Sequence, residues 1–106
     1  MPLHFFAKLN PLPGKEAPFR DELIRVVAAT HEEPGCIGIR AFKSIHPPVL
    51  FTIHSEWVDE PAFELHVTLP HTVRFLAAAN ELLTHPVQGL RTHEIGADHV
   101  DTPEEV

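Results

Sequence analysis

Eleven prolines, at positions 2, 11, 13, 18, 34, 47, 48, 61, 70, 86 and 103, cut this 106-residue chain into short pieces. Proline fixes φ and has no amide hydrogen to donate, so it stands at the borders of helices and strands and is kept out of their interiors. Each piece between these borders can therefore be read for its own period.

Leu3 to Leu9 sets Leu3, Phe5, Ala7 and Leu9 against His4, Phe6 and Lys8, the period of two that marks a strand. Asn10-Pro11-Leu12-Pro13-Gly14 is a turn. Phe19, Leu23, Val26, Val27 and Thr30 then recur at helical spacing, which predicts a helix over about 16–31 with Pro18 in its first turn. Glu33-Pro34-Gly35 ends it. Cys36 to Lys43 alternates again, with Ile37, Ile39 and Ala41 opposite Cys36, Gly38, Arg40 and Phe42. A third strand over Val49 to Trp57 places Phe51, Ile53, Ser55 and Trp57 on one face, and the two strands are expected to pair as a hairpin.

Asp59 suits an N-cap and Pro61 the first turn, so a short helix is expected to run to about His66. Pro70 opens another, with Val73, Leu76, Ala77, Ala79 and Leu83 as its apolar stripe and Pro86 beyond its end. Val87 to Ile95 is the last strand. The order βαββααβ fits an α+β, ferredoxin-like fold: a four-stranded antiparallel sheet with helices on one face. It occupies residues 1–96 as one domain. The acidic stretch 97–106, with Asp98, Asp101, Glu104 and Glu105, is expected to be a mobile tail.

One sheet face is left without helices, yet both faces of the first and third strands carry large apolar groups, Phe5 with Phe6 and Leu50 with Phe51. A solvated face is normally more polar. The expectation is a symmetric homodimer through the helix-free sheet face.

Charge narrows the partners. The net charge is −7 and the eight Lys and Arg are scattered, leaving no basic stripe to neutralise phosphates, so nucleic acid is not expected. The single Cys36 cannot form an intrachain disulfide, the first residues lack the pattern of a secretory leader, and no apolar run approaches 18 residues. A cytoplasmic protein with no membrane partner is the simplest expectation. No Gly-rich phosphate loop, nucleophile elbow or Cys-x-x-Cys is present.

Nine histidines invite a metal reading, but two ligands on one helix face need i, i+4 spacing. His66 and His71 are five apart with Pro70 between them, so no metal is expected. These two histidines bracket a helix break, where they either cap helix ends or act as bases titrating near neutral pH. Trp57 closes a strand on the face opposite His54 and belongs to the core by default. Arg74, three residues after His71, could neighbour it on the helix. Cys36 reads as a small buried apolar residue.

The stretch from Phe51 to His71 resembles the antibiotic biosynthesis monooxygenase (ABM) domain family, which includes quinol monooxygenases and anthrone oxygenases of the dimeric α+β barrel type. Trp57, His66, Pro70 and His71 stand at the family's spacings, Glu33-Pro34-Gly35-Cys36 matches its Glu-x-Gly-Cys turn, and the element order agrees over about residues 3–95. One departure is visible: the Glu of the family's Glu-x-Trp falls on Ser55, and Glu56 is one residue off, facing the other way. Its role is then either lost or taken by another group.

The resemblance implies a dimeric α+β barrel that oxygenates a small electron-rich aromatic (a quinol, phenol or anthrone) without flavin, metal or other cofactor. It implies His66 or His71 as the catalytic base, Trp57, Phe5 and Ile53 as walls of the substrate slot, and Arg74 as an oxyanion partner. Two other uses of such a scaffold remain open: a small-ligand-binding or stress-response dimer without catalysis, and an isomerase or lyase.

Overall fold

The computed structural model describes residues 1–96. The tail expected from 97 onward lies outside the described residues. Seven elements follow in the expected order: β1 (Leu3–Leu9), α1 (Glu16–Thr30), β2 (Cys36–Lys43), β3 (Phe51–Trp57), α2 (Glu60–His66), α3 (Pro70–Leu82) and β4 (Gln88–Thr92). The four strands form one antiparallel sheet in the order β2-β3-β1-β4. β4 is shorter than its sequence pattern suggested. Asp59 caps α2 as expected, accepting a hydrogen bond from the Ala62 amide at 2.9 Å.

The register sets which strand residues face the helices. Leu3 lies opposite Trp57, Phe5 opposite Ser55 and Ala7 opposite Ile53, so all six side chains point to the helical side. On that side α1 buries Phe19, Leu23, Val26 and Thr30. These residues pack with Leu9, Phe51, Ile53, Phe75 and Ala79 into the main core, and Phe19 lies 5.7 Å from Phe51 and 5.8 Å from Phe75, ring to ring. A smaller cluster of Leu3, Trp57 and Phe63 sits beside it, with Phe5 touching both.

Two expected patterns are corrected. In β2 the alternation is broken by a bulge between Cys36 and Gly38, so Ile37 is left outside the ladder and is 52% exposed, while Cys36 and Ile39 both turn inward. In α3 the buried stripe is Thr72, Phe75 and Ala79, whereas Val73 and Leu76 are exposed. The phase is set by Phe75, which enters the core against Phe19, and by Thr72, which turns toward His66.

The helix-free face of the sheet carries Phe6, Phe42 and Leu90, exposed by 47, 52 and 65%. His54 stacks between Phe6 and His4 there, and His4 Nδ1 lies 2.8 Å from His54 Nε2. A single open sheet is seen, and a closed barrel is not. Among the described residues no helix is long and apolar enough to cross a membrane.

Candidate active site

Three elements meet where β3 ends. His66 is the last residue of α2, His71 the second of α3, and Glu33 lies in the turn that leads from α1 to β2. The break between α2 and α3 directs both imidazoles to one carboxylate oxygen: His66 Nδ1 lies 2.7 Å and His71 Nε2 2.6 Å from Glu33 Oε2. Glu33 is nearly buried, with 8% of its side chain exposed. A buried carboxylate needs donors, and two imidazole N–H groups supply them.

An ionised carboxylate only accepts, so the proton of the His66 hydrogen bond sits on Nδ1 and the lone pair on Nε2. Thr72 Oγ1 stands 3.3 Å from the same Nδ1, a weaker second contact. Nε2 makes no hydrogen bond among the described residues. Burial lowers the His66 pKa below its ordinary value of about 6.5, and the hydrogen bond and charge of Glu33 offset this only in part. The imidazole is therefore neutral at pH 7, which is the form a general base requires.

His66 lines a partly open cavity of about 80 Å³ under the helices. Its wall is mostly apolar, including Phe5, Ile39, Ile53, Phe63 and Phe75, and Thr30, Ser55 and Thr72 are its other polar side chains. Phe5 is held over Gly89 of β4, where an added Cβ would meet the Phe5 ring at 2.0 Å. Only glycine leaves that ring its place. Arg91 hydrogen-bonds Glu60 at 2.9 Å and also Glu64, and its guanidinium lies 4.9 Å from the Phe63 ring centroid, tying β4 to α2 beside the cavity.

Of the residues named from the sequence, Phe5, Ile53 and His66 line the cavity, and His71 reaches His66 through Glu33. Two of the named residues make other contacts. Trp57 does not wall the cavity: it is fully buried behind His66, with ring centroids 4.6 Å apart, and its Nε1–H donates to Ser55 Oγ at 2.9 Å. Among the described residues no hydrogen bond or ion pair joins Arg74 to His71; Arg74 pairs with Glu22 of α1 at 3.3 Å on the exposed surface.

Glu33 was missed as a site residue. Its signal was present in the Glu-x-Gly-Cys turn, but as a helix-ending turn it carried no chemistry until the fold set it beside His66. At the family's Glu position Ser55 accepts from the Trp57 indole, and the carboxylate that meets the histidines is Glu33. Glu33, His66 and His71 offer three ligand atoms within 4.8 Å of one another, a donor set that zinc or iron accepts, although no recognised sequence spacing announced it. With both nitrogens at hydrogen-bonding distance from one oxygen, their present spacing is that of a proton-sharing triad.

The Glu33 turn depends on Gly35. A Cβ there would lie 2.6 Å from the Ala62 Cβ, closer than real contacts allow, so turn and α2 would have to separate. Gly35→Ala is expected to lower stability by about 1–3 kcal/mol, read by thermal or denaturant unfolding. An unchanged melting curve would mean that the two segments are not in close contact.

Comparison with known proteins agrees with this architecture. The model of the antibiotic biosynthesis monooxygenase family matches residues 2–78, from β1 into α3, and so contains Glu33, His66 and His71. The chain belongs to this family. Among its relatives, YcnE of Bacillus subtilis is 28% identical over 86 residues, covering 81% of this chain and 90% of that protein. The structure of PA3566 from Pseudomonas aeruginosa aligns with a TM-score of 0.82 at 27% identity, over 90% of this chain and 95% of that one. Rv0793 from Mycobacterium tuberculosis aligns at 0.84 and 23% identity, over 90% of this chain and 96% of that one, and supports the fold.

Proposed function

We propose that this family member oxygenates a single-ring, electron-rich phenol or quinol with O₂, using His66 as the base. The observation that carries this reading is the Glu33–His66 hydrogen bond, which puts the imidazole proton on Nδ1 and the lone pair on Nε2 of a residue that burial keeps neutral and that lines an apolar cavity. The cavity is smaller than the ~150 Å³ apolar space that takes up benzene. The enclosed space alone does not hold a ring, so a single ring would sit partly in the open mouth, and the tricyclic anthrone gives way to smaller substrates.

For a hydroquinone the steps balance as follows. His66 Nε2 takes the phenolic proton, and the phenolate passes one electron to O₂, giving a semiquinone and superoxide. These combine at a ring carbon to form a C–O bond. Loss of the hydrogen on that carbon, with cleavage of the O–O bond, leaves a new C=O and expels the distal oxygen as water, with His66 returning its proton. The products are a hydroxyquinone and one water, so one oxygen atom enters the ring and the other is reduced. The protein needs to supply a base, an apolar slot and exclusion of bulk water. His71 and Glu33 are positioning residues that hold the tautomer. Flavin and metal are not needed in this scheme, in line with what the family resemblance implies.

Oxygen uptake with a panel of hydroquinones and phenols tests the reading: uptake above the spontaneous rate is expected, and its absence across the panel would sink it. The alternative, a binding module without turnover, would show retained ligand affinity and no uptake.

The same proposal includes a homodimer. Phe6, Phe42 and Leu90 form an exposed apolar patch on a face that no helix covers, which is what a second sheet would bury. Leu90→Glu is expected to shift the wild-type dimer to monomer in light scattering, and a wild-type protein already monomeric at high concentration would contradict the dimer.

A further inference from the structure

The cavity wall contains a buried hydroxyl without a partner among the described residues. Thr30, the last residue of α1, is wholly buried and lines the cavity, and its Oγ1 makes no hydrogen bond. A threonine near a helix end usually hands its hydroxyl to a backbone carbonyl one turn back. Thr68 does so in this chain, donating to the Leu65 carbonyl at 2.7 Å. Thr30 does not, and a hydroxyl buried in that way disfavours folding unless something else satisfies it.

The other polar side chains of the wall are already engaged. Ser55 Oγ accepts from the Trp57 indole, Thr72 Oγ1 approaches His66 Nδ1, and His66 Nδ1 is bonded to Glu33. Two polar atoms of the wall residues have no hydrogen-bond partner among the described residues, His66 Nε2 and Thr30 Oγ1, while Ser55 Oγ is held by the indole. Their residues come from different elements, α2 and α1, and both line one apolar space. Few polar groups set in an apolar wall are what orients a small ligand.

We propose that Thr30 is a specificity-determining residue, its hydroxyl taking the second oxygen of a dioxygenated aromatic ring whose first oxygen meets His66. The inference rests on the functional reading above only in placing that first oxygen. A valine at this position would fill the same volume and remove the orphan hydroxyl, so threonine here is accounted for by a ligand more readily than by packing. A ring with one oxygen leaves the Thr30 hydroxyl unsatisfied, and a ring with two does not.

The test is calorimetric titration of the full-length protein with hydroquinone and with phenol under anaerobic conditions, comparing wild type, Thr30→Val and Thr30→Ser. Wild type should bind hydroquinone more tightly than phenol. Thr30→Val should weaken hydroquinone on the order of 10-fold, the usual loss for one neutral hydrogen bond, and leave phenol within about 2-fold. Thr30→Ser keeps the hydroxyl and should keep the preference. Thermal melts should show Thr30→Val no less stable than wild type, since the buried hydroxyl has gone. An unchanged hydroquinone-to-phenol ratio in Thr30→Val, or no preference in wild type, would overturn the proposal. Excluding oxygen separates binding from turnover. Thr30-dependent binding without oxygen uptake in air would uphold this inference and sink the oxygenase reading, and uptake with a ratio indifferent to Thr30 would do the reverse.

Discussion

His66→Ala is expected to lower kcat for oxygen uptake by on the order of 10² or more, with the fold retained. Among the described residues His66 is the one histidine of the triad that lines the cavity, and its Nε2 has no hydrogen-bond partner there. Trp57 and Phe63 lose the imidazole they pack against but keep their contacts with each other and with Leu3 in the smaller core. The effect should fall on kcat, since the proton transfer belongs to the transition state and contributes little to holding the neutral ring. His71→Ala offers the contrast. It removes one donor to Glu33 and leaves the base, so its rate should lie between wild type and His66→Ala. Equal rates in wild type and His66→Ala would remove His66 from the chemistry.

Glu33→Gln should have the second-largest effect, and one with a signature that a packing defect would not produce. Glutamine keeps the shape and an oxygen that can accept from the histidines, but it carries no charge, so both hydrogen bonds lose their charge assistance. A loss of about 10-fold or more in kcat is expected, of the size seen when a group that orients a histidine is removed. The sign of the pH effect follows from the causes acting on His66. Burial lowers its pKa, and the hydrogen bond and charge of Glu33 raise it. In the wild type the rate should therefore fall as pH drops through a value below about 6.5, when the base becomes protonated. Removing Glu33's charge takes away the raising influence, so the acid limb of kcat/KM should move to still lower pH while the plateau drops. A plateau lowered without any movement of that limb would assign Glu33 a purely structural role.

The fold was largely legible because its signals are local. Proline borders, two-residue alternation in β1 and β3 and the Asp59 cap all act over a few residues, and each is found where the pattern put it. Where the pattern failed, a longer-range constraint had decided. Ile37 left the ladder because a bulge absorbs one residue at Gly38, and the inward stripe of α3 follows Phe75 and Thr72 because their partners lie on α1 and at His66. Val73 and Leu76 are as apolar as the positions that were buried, so hydropathy alone could not set the phase.

The site divides along the same line. His66 and His71 could be named because they flank a visible break in the chain. Their common partner could not, since Glu33 is 33 residues from His66 and 38 from His71 and is brought in only by the packing of the α1–β2 turn against α2. The family resemblance implied slot roles for Trp57 and Arg74; the fold sets one behind His66 and pairs the other with Glu22 on the outer surface. Thr30 was read as part of an apolar helical stripe, and its position is indeed buried; what the period could not show is that its hydroxyl would be left unpaired in a cavity wall.

The most direct test of the oxygenase reading is mass spectrometry of the product formed from a hydroquinone under ¹⁸O₂. The expected result is one labelled oxygen in the hydroxyquinone and one in water, with label incorporation lost in His66→Ala. A product carrying no label, with the oxygen recovered as hydrogen peroxide, would contradict the account, because the cavity would then be oxidising its ligand without inserting oxygen.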